Sequence, residues 1–314
     1  MSVTEFLTLA GWQNAQISPM TGDASARQYS RLQRKQETAI LMQAPQDGST
    51  STFARVARYL RQSSLAAPQI FAAQPDQGLL LTEDFGAYRF ADIADQEPDR
   101  ATSLYALATD VLIHLSRIPA MDGLQPYDGK TMAAQAELIF EWALPAKPLP
   151  DLTLTKSLKT ALRQAARPFD RMPRVTMLRD YHAENLMLRD AAGIQAAGLL
   201  DFQDAMAAHP AYDLVSLLQD ARRDVDPAIE QEMTFRYMAE TDCDSTDFYA
   251  AYALYGTGRA LRILGIFARL AARDGKTRYL DFVPRVRANL ERNLSHPHLS
   301  EVSRCLTPWL EATA

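Results

Sequence analysis

Two short apolar runs, set inside an otherwise helical stretch, restrict the possible folds of this chain more than any other feature. They are Val175-Thr176-Met177-Leu178 and Ala197-Gly198-Leu199-Leu200. Each is too short for a helix and suits a buried strand. Each also leads to an aspartate, Asp201 directly and Asp180 two residues on. The chain must therefore fit strand ends carrying carboxylates into a helical framework. Leu104, Leu107, Val111, Leu115 and Ile118 form one apolar stripe, ended by Pro119. Further helical patterns cover roughly 131–143, 153–167, 211–221, 227–240, 246–272 and 280–293. Asp226-Pro227 is a start signal: a capping carboxylate, then a proline whose missing N–H costs nothing at the first helical position. Leu261, Leu264, Gly265 and Ala268 share a face of the longest pattern and read as core.

The first 85 or so residues read as mixed α/β. A short helix (Thr4 to Leu9) precedes Gly22-Asp23-Ala24-Ser25, a turn-forming cluster between two strand-like stretches. Tyr29 to Leu32 and Ala39 to Met42 have strand character, Phe53 to Arg61 is helical, and Leu79-Leu80-Leu81-Thr82 is a short run bounded by Gly78 and Asp84. The expected organisation is α+β. It has a small α/β lobe over residues 1–86, including a connector near 79–86, and a larger helical lobe over 87–314. No internal repeat or low-complexity linker is visible.

The 314 residues are 47% hydrophobic and 23% charged, with net charge −5, as in an ordinary soluble globular protein. That balance gives no electrostatic reason to expect nucleic acid or an anionic membrane surface. Cys243 and Cys305 form neither a metal cluster nor a disulfide framework, which fits a reducing cytoplasm. The first sixteen residues do not read as a signal peptide, and no apolar run approaches the ~20 residues that span a bilayer. A cytoplasmic protein with no evident obligate protein partner is expected.

Leu178-Arg179-Asp180-Tyr181-His182-Ala183-Glu184-Asn185 and Leu199-Leu200-Asp201-Phe202-Gln203-Asp204 carry the chemistry. Phosphoryl transfer needs the acceptor oxygen held in line, its proton accepted and the phosphate charge neutralised by metal. Asp180 suits the base, Asn185 a neutral oxygen ligand for Mg²⁺, and Asp201 a hard anionic ligand between metal and phosphates. Any one Asp-x-x-x-x-Asn is usually a plain turn. Two strands each delivering an aspartate, with Asn185 between them, make the functional reading the stronger.

The first segment resembles the catalytic loop of the aminoglycoside phosphotransferase-like kinases, usually His-x-Asp-x-x-x-x-Asn, and the second their metal-binding strand end. His209-Pro210-Ala211-Tyr212-Asp213-Leu214 resembles the segment that follows, where an aspartate anchors a helix. The resemblance implies a protein-kinase-like fold with ATP between the lobes. Gly22-Asp23-Ala24-Ser25-x-Arg27-x-Tyr29, Leu81-Thr82-Glu83-Asp84-Phe85-Gly86 and Tyr212-Asp213-Leu214-Val215-Ser216-Leu217 narrow it further. They resemble the bacterial cell-wall sugar kinases, which phosphorylate the anomeric hydroxyl of N-acetylmuramate and N-acetylglucosamine in peptidoglycan recycling. The likeness implies Gly22, Asp23, Ala24 and Ser25 over the phosphates, and backbone groups near Leu81 and Glu83 on the adenine edge. The side chains of Glu83 and Asp84 are then expected to be solvated, and Phe85 either stacks on a ring or fills the linker core.

Two departures stand out. Kinases of this fold carry a lysine on the third strand paired with a glutamate on the next helix. Here the lysine position in Ala39-Ile40-Leu41-Met42 is apolar, and 53–61 contains no glutamate. Arg27 is the expected replacement cation, with Arg31 second. The loop histidine is replaced by Leu178, a scaffold position.

For the acceptor, Glu141-Trp142 interrupt an apolar helix; a tryptophan face suits a sugar ring, a half-buried core tryptophan being the other reading. One of Arg222, Arg223 and Arg259 is expected to meet the lactyl carboxylate of N-acetylmuramate, with surface ion pairs as the alternative for each. His182, Glu184, Gln203 and Asp204 lie near enough in sequence to touch substrate. His296-Pro297-His298 reads as surface. The expected activity is ATP- and Mg²⁺-dependent phosphorylation of an amino sugar. The alternatives are another small hydroxyl acceptor (aminoglycoside, choline, amino acid) or a non-catalytic nucleotide-binding relative.

Overall fold

The computed structural model describes residues 1–20, 26–142 and 152–312. The chain divides into two compact units, Met1–Val111 with Ala183–Ala205, and Leu112–His182 with Met206–Ala314.

Helix α1 (Val3–Leu9) starts behind a capping box in which Ser2 accepts the Glu5 N–H and Glu5 accepts the Ser2 N–H. Strands β1 (Gln16–Met20), β2 (Gln28–Arg34) and β3 (Glu37–Gln43) follow, then α2 (Ser49–Gln62), whose Phe53, Val56, Ala57 and Leu60 form one buried stripe. With β4 (Ile70–Gln74) and β5 (Leu79–Glu83) they complete an antiparallel sheet in the order β1-β2-β3-β5-β4. Strand β5 is thus interior, which explains why its apolar run does not alternate. Leu32, Ala39, Leu41, Leu79 and Leu81 pack against Phe6, Leu7 and Trp12. Helices α3 (Phe90–Gln96) and α4 (Ala101–Ser116) come next, the latter carrying the expected stripe as far as Leu115 and ending before Ile118.

Helices α5 (Gly129–Ala136), α6 (Leu138–Trp142) and α7 (Leu152–Ala166) lead to β6 (Val175–Met177). The chain then enters the first unit again for an antiparallel pair, β7 (Leu186–Leu188) and β8 (Ala197–Leu199), and returns through β9 (Met206–Ala208), which pairs with β6. Both apolar runs are therefore short strands, each completed by a partner that has no distinctive pattern of its own. The remainder is helical: α8 (Ala211–Leu218), α9 (Pro227–Thr241), α10 (Ser245–Asp274), α11 (Val283–Leu294) and α12 (Ser300–Ala312). Asp226 caps α9 as expected, accepting the Ala228 N–H at 2.8 Å. Helix α10, 30 residues long, is the axis of the second unit and packs against α5, α6, α8 and α11.

Some boundaries differ from expectation. The pattern over 131–143 is two helices, broken between Ala136 and Leu138. The one over 280–293 begins as a 3₁₀ segment, Thr277–Phe282, before α11. Among the described residues no helix is long and apolar enough to cross a membrane.

Candidate active site

In the second unit, β6 ends at Met177 and the chain turns sharply. Arg179 takes φ 75°, a left-handed conformation that costs a non-glycine residue about 1 kcal/mol or more. Two hydrogen bonds hold the turn. The buried Asp213 carboxylate accepts the Leu178 N–H at 2.6 Å and the Arg179 N–H at 2.9 Å. Asp213 lies in the first turn of α8, so helix and loop are fixed together. Burial pushes its carboxyl up to about 7 against the opposing pull of those two N–H groups. Leu178 is itself buried, and its backbone is what anchors the loop.

Asp180 follows with its side chain 30% exposed. Burial raises its carboxyl, but Arg262, His182, Arg179 and Arg259 together outweigh this and hold it below the ordinary value. A carboxylate kept ionised in this way can accept a proton. His182 is buried, and burial lowers its imidazole below the ordinary value. Its Nε2 lies 3.2 Å from Arg222 Nη1. A guanidinium only donates, so Nε2 accepts and the ring proton is on Nδ1.

The expected arginines thus separate. Arg222 is half-buried and faces the catalytic loop. Arg259 is buried, donating to the Gln219 carbonyl at 3.1 Å, and is neither a surface ion pair nor free to reach out. Arg223 is half-buried. Arg262, which the sequence reading passed over, lies 4.0 Å from the Asp180 carboxylate. A basic residue one turn beyond Arg259, within an apolar helical run, was the available signal. Glu141 is exposed and Trp142 half-buried at the end of α6.

In the first unit, Asn185 ends a 3₁₀ turn (Ala183–Asn185) and Asp201 follows β8. Pairing of β7 with β8 brings them together: the Leu200 N–H donates to the Asn185 carbonyl at 3.0 Å, and the Asn185 amide lies 3.5 Å from Asp201 Oδ2. Asp201 takes φ 57°, which aspartate tolerates better than most residues. The next residue, Phe202, is fully buried and stacks on Phe53 of α2 at 4.7 Å, which fixes the turn. Arg27 approaches from the start of β2, its Nη1 3.6 Å from Asp201 and its Nη2 3.9 Å from Asp204. Gln203 is buried and donates to Asp201 Oδ1 at 2.9 Å, while Asp204 is exposed and Glu184 half-buried. An amide and a carboxylate side by side are hard oxygen donors of the kind Mg²⁺ takes. Among the described residues no cluster of three or more His, Cys, Asp or Glu could hold a metal. The pair therefore suits an ion that takes its remaining ligands from water and phosphate.

The connector differs from expectation. Glu83 and Asp84 are not simply solvated. Glu83 pairs with Arg189 at 3.1 Å and Arg61 at 3.6 Å, and Asp84, its side chain 4% exposed, pairs with Arg31 at 2.7 Å. Arg31 also donates to the Gly86 carbonyl at 2.8 Å, so it is committed here rather than to phosphate. Phe85 lies under the Arg189 guanidinium at 4.6 Å and against Gly198, where a Cβ would come within 2.6 Å of its ring. Leu81 lies in the interior strand opposite Leu41 and Ala72, and the Glu83 N–H donates to Gln69 O at 2.8 Å. The backbone at these two positions is thus engaged by the sheet. Gly22, Asp23, Ala24 and Ser25 lie outside the described residues. His298 is not a plain surface residue: it meets Phe169 edge-on at 5.3 Å and bonds to the Ala165 carbonyl at 2.8 Å.

The profile of the phosphotransferase enzyme family matches residues 16–249. An N-acetylmuramate/N-acetylglucosamine kinase of Caulobacter vibrioides is 34% identical, covering 95% of this chain and 93% of the relative. Its counterpart in Pseudomonas aeruginosa is 31% identical over 96% and 92%. An ADP-bound aminoglycoside phosphotransferase of known structure superposes with a TM-score of 0.63 at 12% identity, covering 93% of this chain and 99% of that one. The α+β, protein-kinase-like architecture expected from the motifs is therefore present.

Proposed function

Because this chain belongs to the phosphotransferase enzyme family, we propose that it transfers the γ-phosphoryl group of ATP to the anomeric hydroxyl of N-acetylmuramate and N-acetylglucosamine. Full-length similarity to kinases of those two sugars supports the acceptor. The observation that carries the phosphoryl-transfer reading is the Asn185–Asp201 pair, with Arg27 against it.

Asn185 and Asp201 would hold Mg²⁺, which when bound neutralises phosphate charge and orients the leaving group. Arg27 supplies the cation that the apolar third strand lacks. Backbone groups near Leu81 and Glu83 are assigned to the adenine edge, Glu83 ending the interior strand. Asp180 accepts the proton of the acceptor hydroxyl, and the anomeric hydroxyl, more acidic than an ordinary alcohol, suits a carboxylate base. The contact of Arg222 with His182 of the loop supports assigning it to the lactyl carboxylate. Gln203 orients Asp201, while Asp204 shares Arg27 with it. The enzyme works in the cytoplasm, where ATP is.

An ATP-consumption screen against both amino sugars, choline and an aminoglycoside, with NMR of the product, tests the proposal. Turnover is expected on the amino sugars, with phosphate on the anomeric oxygen. Asp180→Ala lowers kcat by about 10²–10⁴ with nucleotide binding kept, and Asp201→Ala weakens Mg²⁺-nucleotide binding. Full activity in both variants, or turnover on choline or aminoglycoside alone, refutes the proposal.

A further inference from the structure

We infer that Arg262 is the positioning residue for Asp180: from the middle of α10 its guanidinium holds the carboxylate in the orientation from which it meets the acceptor hydroxyl. The inference rests on the reading of Asp180 as the base and concerns how that base is held.

Within the second unit, Asp180 is approached by groups from three sides. Arg179 and His182 come from its own loop, Tyr212 and Asp213 from α8, and Arg259 and Arg262 from α10. Most already have another task. Asp213 fixes the loop backbone through the Leu178 and Arg179 N–H groups. His182 is turned to Arg222, and Arg259 is tied to the Gln219 carbonyl. Arg262 forms an ion pair with Asp180 at 4.0 Å, and its side chain is only 15% exposed. A charge pair so shielded from water interacts more strongly than an exposed one.

The surroundings fit a held carboxylate rather than a packing arginine. The hydroxyls of Tyr127 and Tyr212 are fully buried, lack a hydrogen-bond partner and belong to rings 4.9 Å apart. Arg262 is the first cation acting on both, after Tyr212 in the case of Tyr127. Buried polar groups are ordinarily satisfied. Two such hydroxyls near a guanidinium and a carboxylate leave hydrogen-bonding capacity that ordered water or an acceptor hydroxyl can complete. The long, buried axis of α10 gives Arg262 a rigid base, as a group setting geometry requires.

The test uses the whole enzyme and four variants: Arg262→Met, Arg262→Lys, Arg222→Met and Asp180→Asn. Arg262→Met is expected to lower kcat about 10–100-fold on both amino sugars, the size of effect that misplacing a reacting group has. KM for ATP and the melting temperature should stay close to wild type. Arg262→Lys is expected to recover most of the lost kcat, since a point charge on a flexible stem reaches the same carboxylate. Loss through melting temperature alone, with no recovery by lysine, would make Arg262 a packing residue and overturn the inference. Loss confined to the acidic sugar would make it a carboxylate receptor and overturn it equally; Arg222→Met shows that pattern for comparison. Asp180→Asn separates the levels: if that variant stays active, the base assignment fails. If it is dead while Arg262→Met is unaffected, only the present inference fails.

Discussion

His209 provides a pH test of the second unit. It lies two residues before α8, is 8% exposed, stacks on Tyr255 at 5.4 Å and meets Phe169 edge-on at 5.6 Å. Its Nδ1 accepts the Ala211 N–H at 3.2 Å. Burial pushes the imidazole from 6.5 down to about 4. The folded chain therefore keeps this ring neutral where the unfolded chain protonates it. Stability from His209 is full above the unfolded value and falls as pH drops toward about 4. Linkage between the two values predicts a loss of about 2 kcal/mol between pH 8 and pH 5, and about 3 by pH 4. His209→Phe keeps the ring stack and removes the titration, at a pH-independent cost of about 1–2 kcal/mol for the lost acceptor. Urea or thermal unfolding of both proteins at pH 8, 6 and 5 measures the difference, in which titrations common to the two cancel. Wild type should start ahead at pH 8 and lose its lead by pH 5, a relative shift of about 4–8 °C in Tm for a unit of this size. Parallel pH curves for the two proteins would refute the reasoning.

Gly265 of α10 faces backbone: a Cβ there would lie 2.6 Å from the Leu138 carbonyl carbon and 2.8 Å from the Ile139 nitrogen. Gly265→Ala is expected to destabilise by about 1–3 kcal/mol in urea unfolding despite the better helix propensity of alanine, and a stabilised variant would contradict the packing described. Arg27→Met should raise KM for ATP at least about 10-fold while Arg31→Met changes it little, because Arg27 lies beside Asp201 whereas Arg31 pairs with Asp84. The reverse order in steady-state kinetics would show that Arg31 is the working cation.

Much of the fold was legible because the informative residues are local. The Asp226 cap, the α4 stripe and the apolar interior of β5 each declare themselves within a few positions. Strands β4, β7 and β9 did not, because their patterns are weak and they exist through pairing with β5, β8 and β6. For the same reason Asn185 and Asp201 could be named from sequence, but not the β7–β8 pairing that brings their side chains to 3.5 Å. The Arg262 contact with Asp180 crosses from α10 to the loop after β6, and no spacing rule reaches that far. The engagement of Glu83 and Asp84 was hidden likewise, since their partners Arg189 and Arg31 come from β-structure remote in the chain.

The missing lysine–glutamate pair follows the same charge logic. Ala39, Leu41 and Met42 of β3 are buried, and α2 offers neither aspartate nor glutamate. A lysine placed there would be a buried charge without a partner, worth several kcal/mol of penalty. Both halves of the pair must therefore be present, or neither. With the pair gone, the replacement cation needs its own counter-ions when no nucleotide is bound, and Arg27 finds them in Asp201 and Asp204. On the proposed mechanism those partners are exchanged, the guanidinium going to phosphate and Asp201 to metal. Each charge is then compensated in both states. An exposed arginine would manage this less well than one 14% exposed, since a guanidinium already largely desolvated gives up less hydration on changing partners.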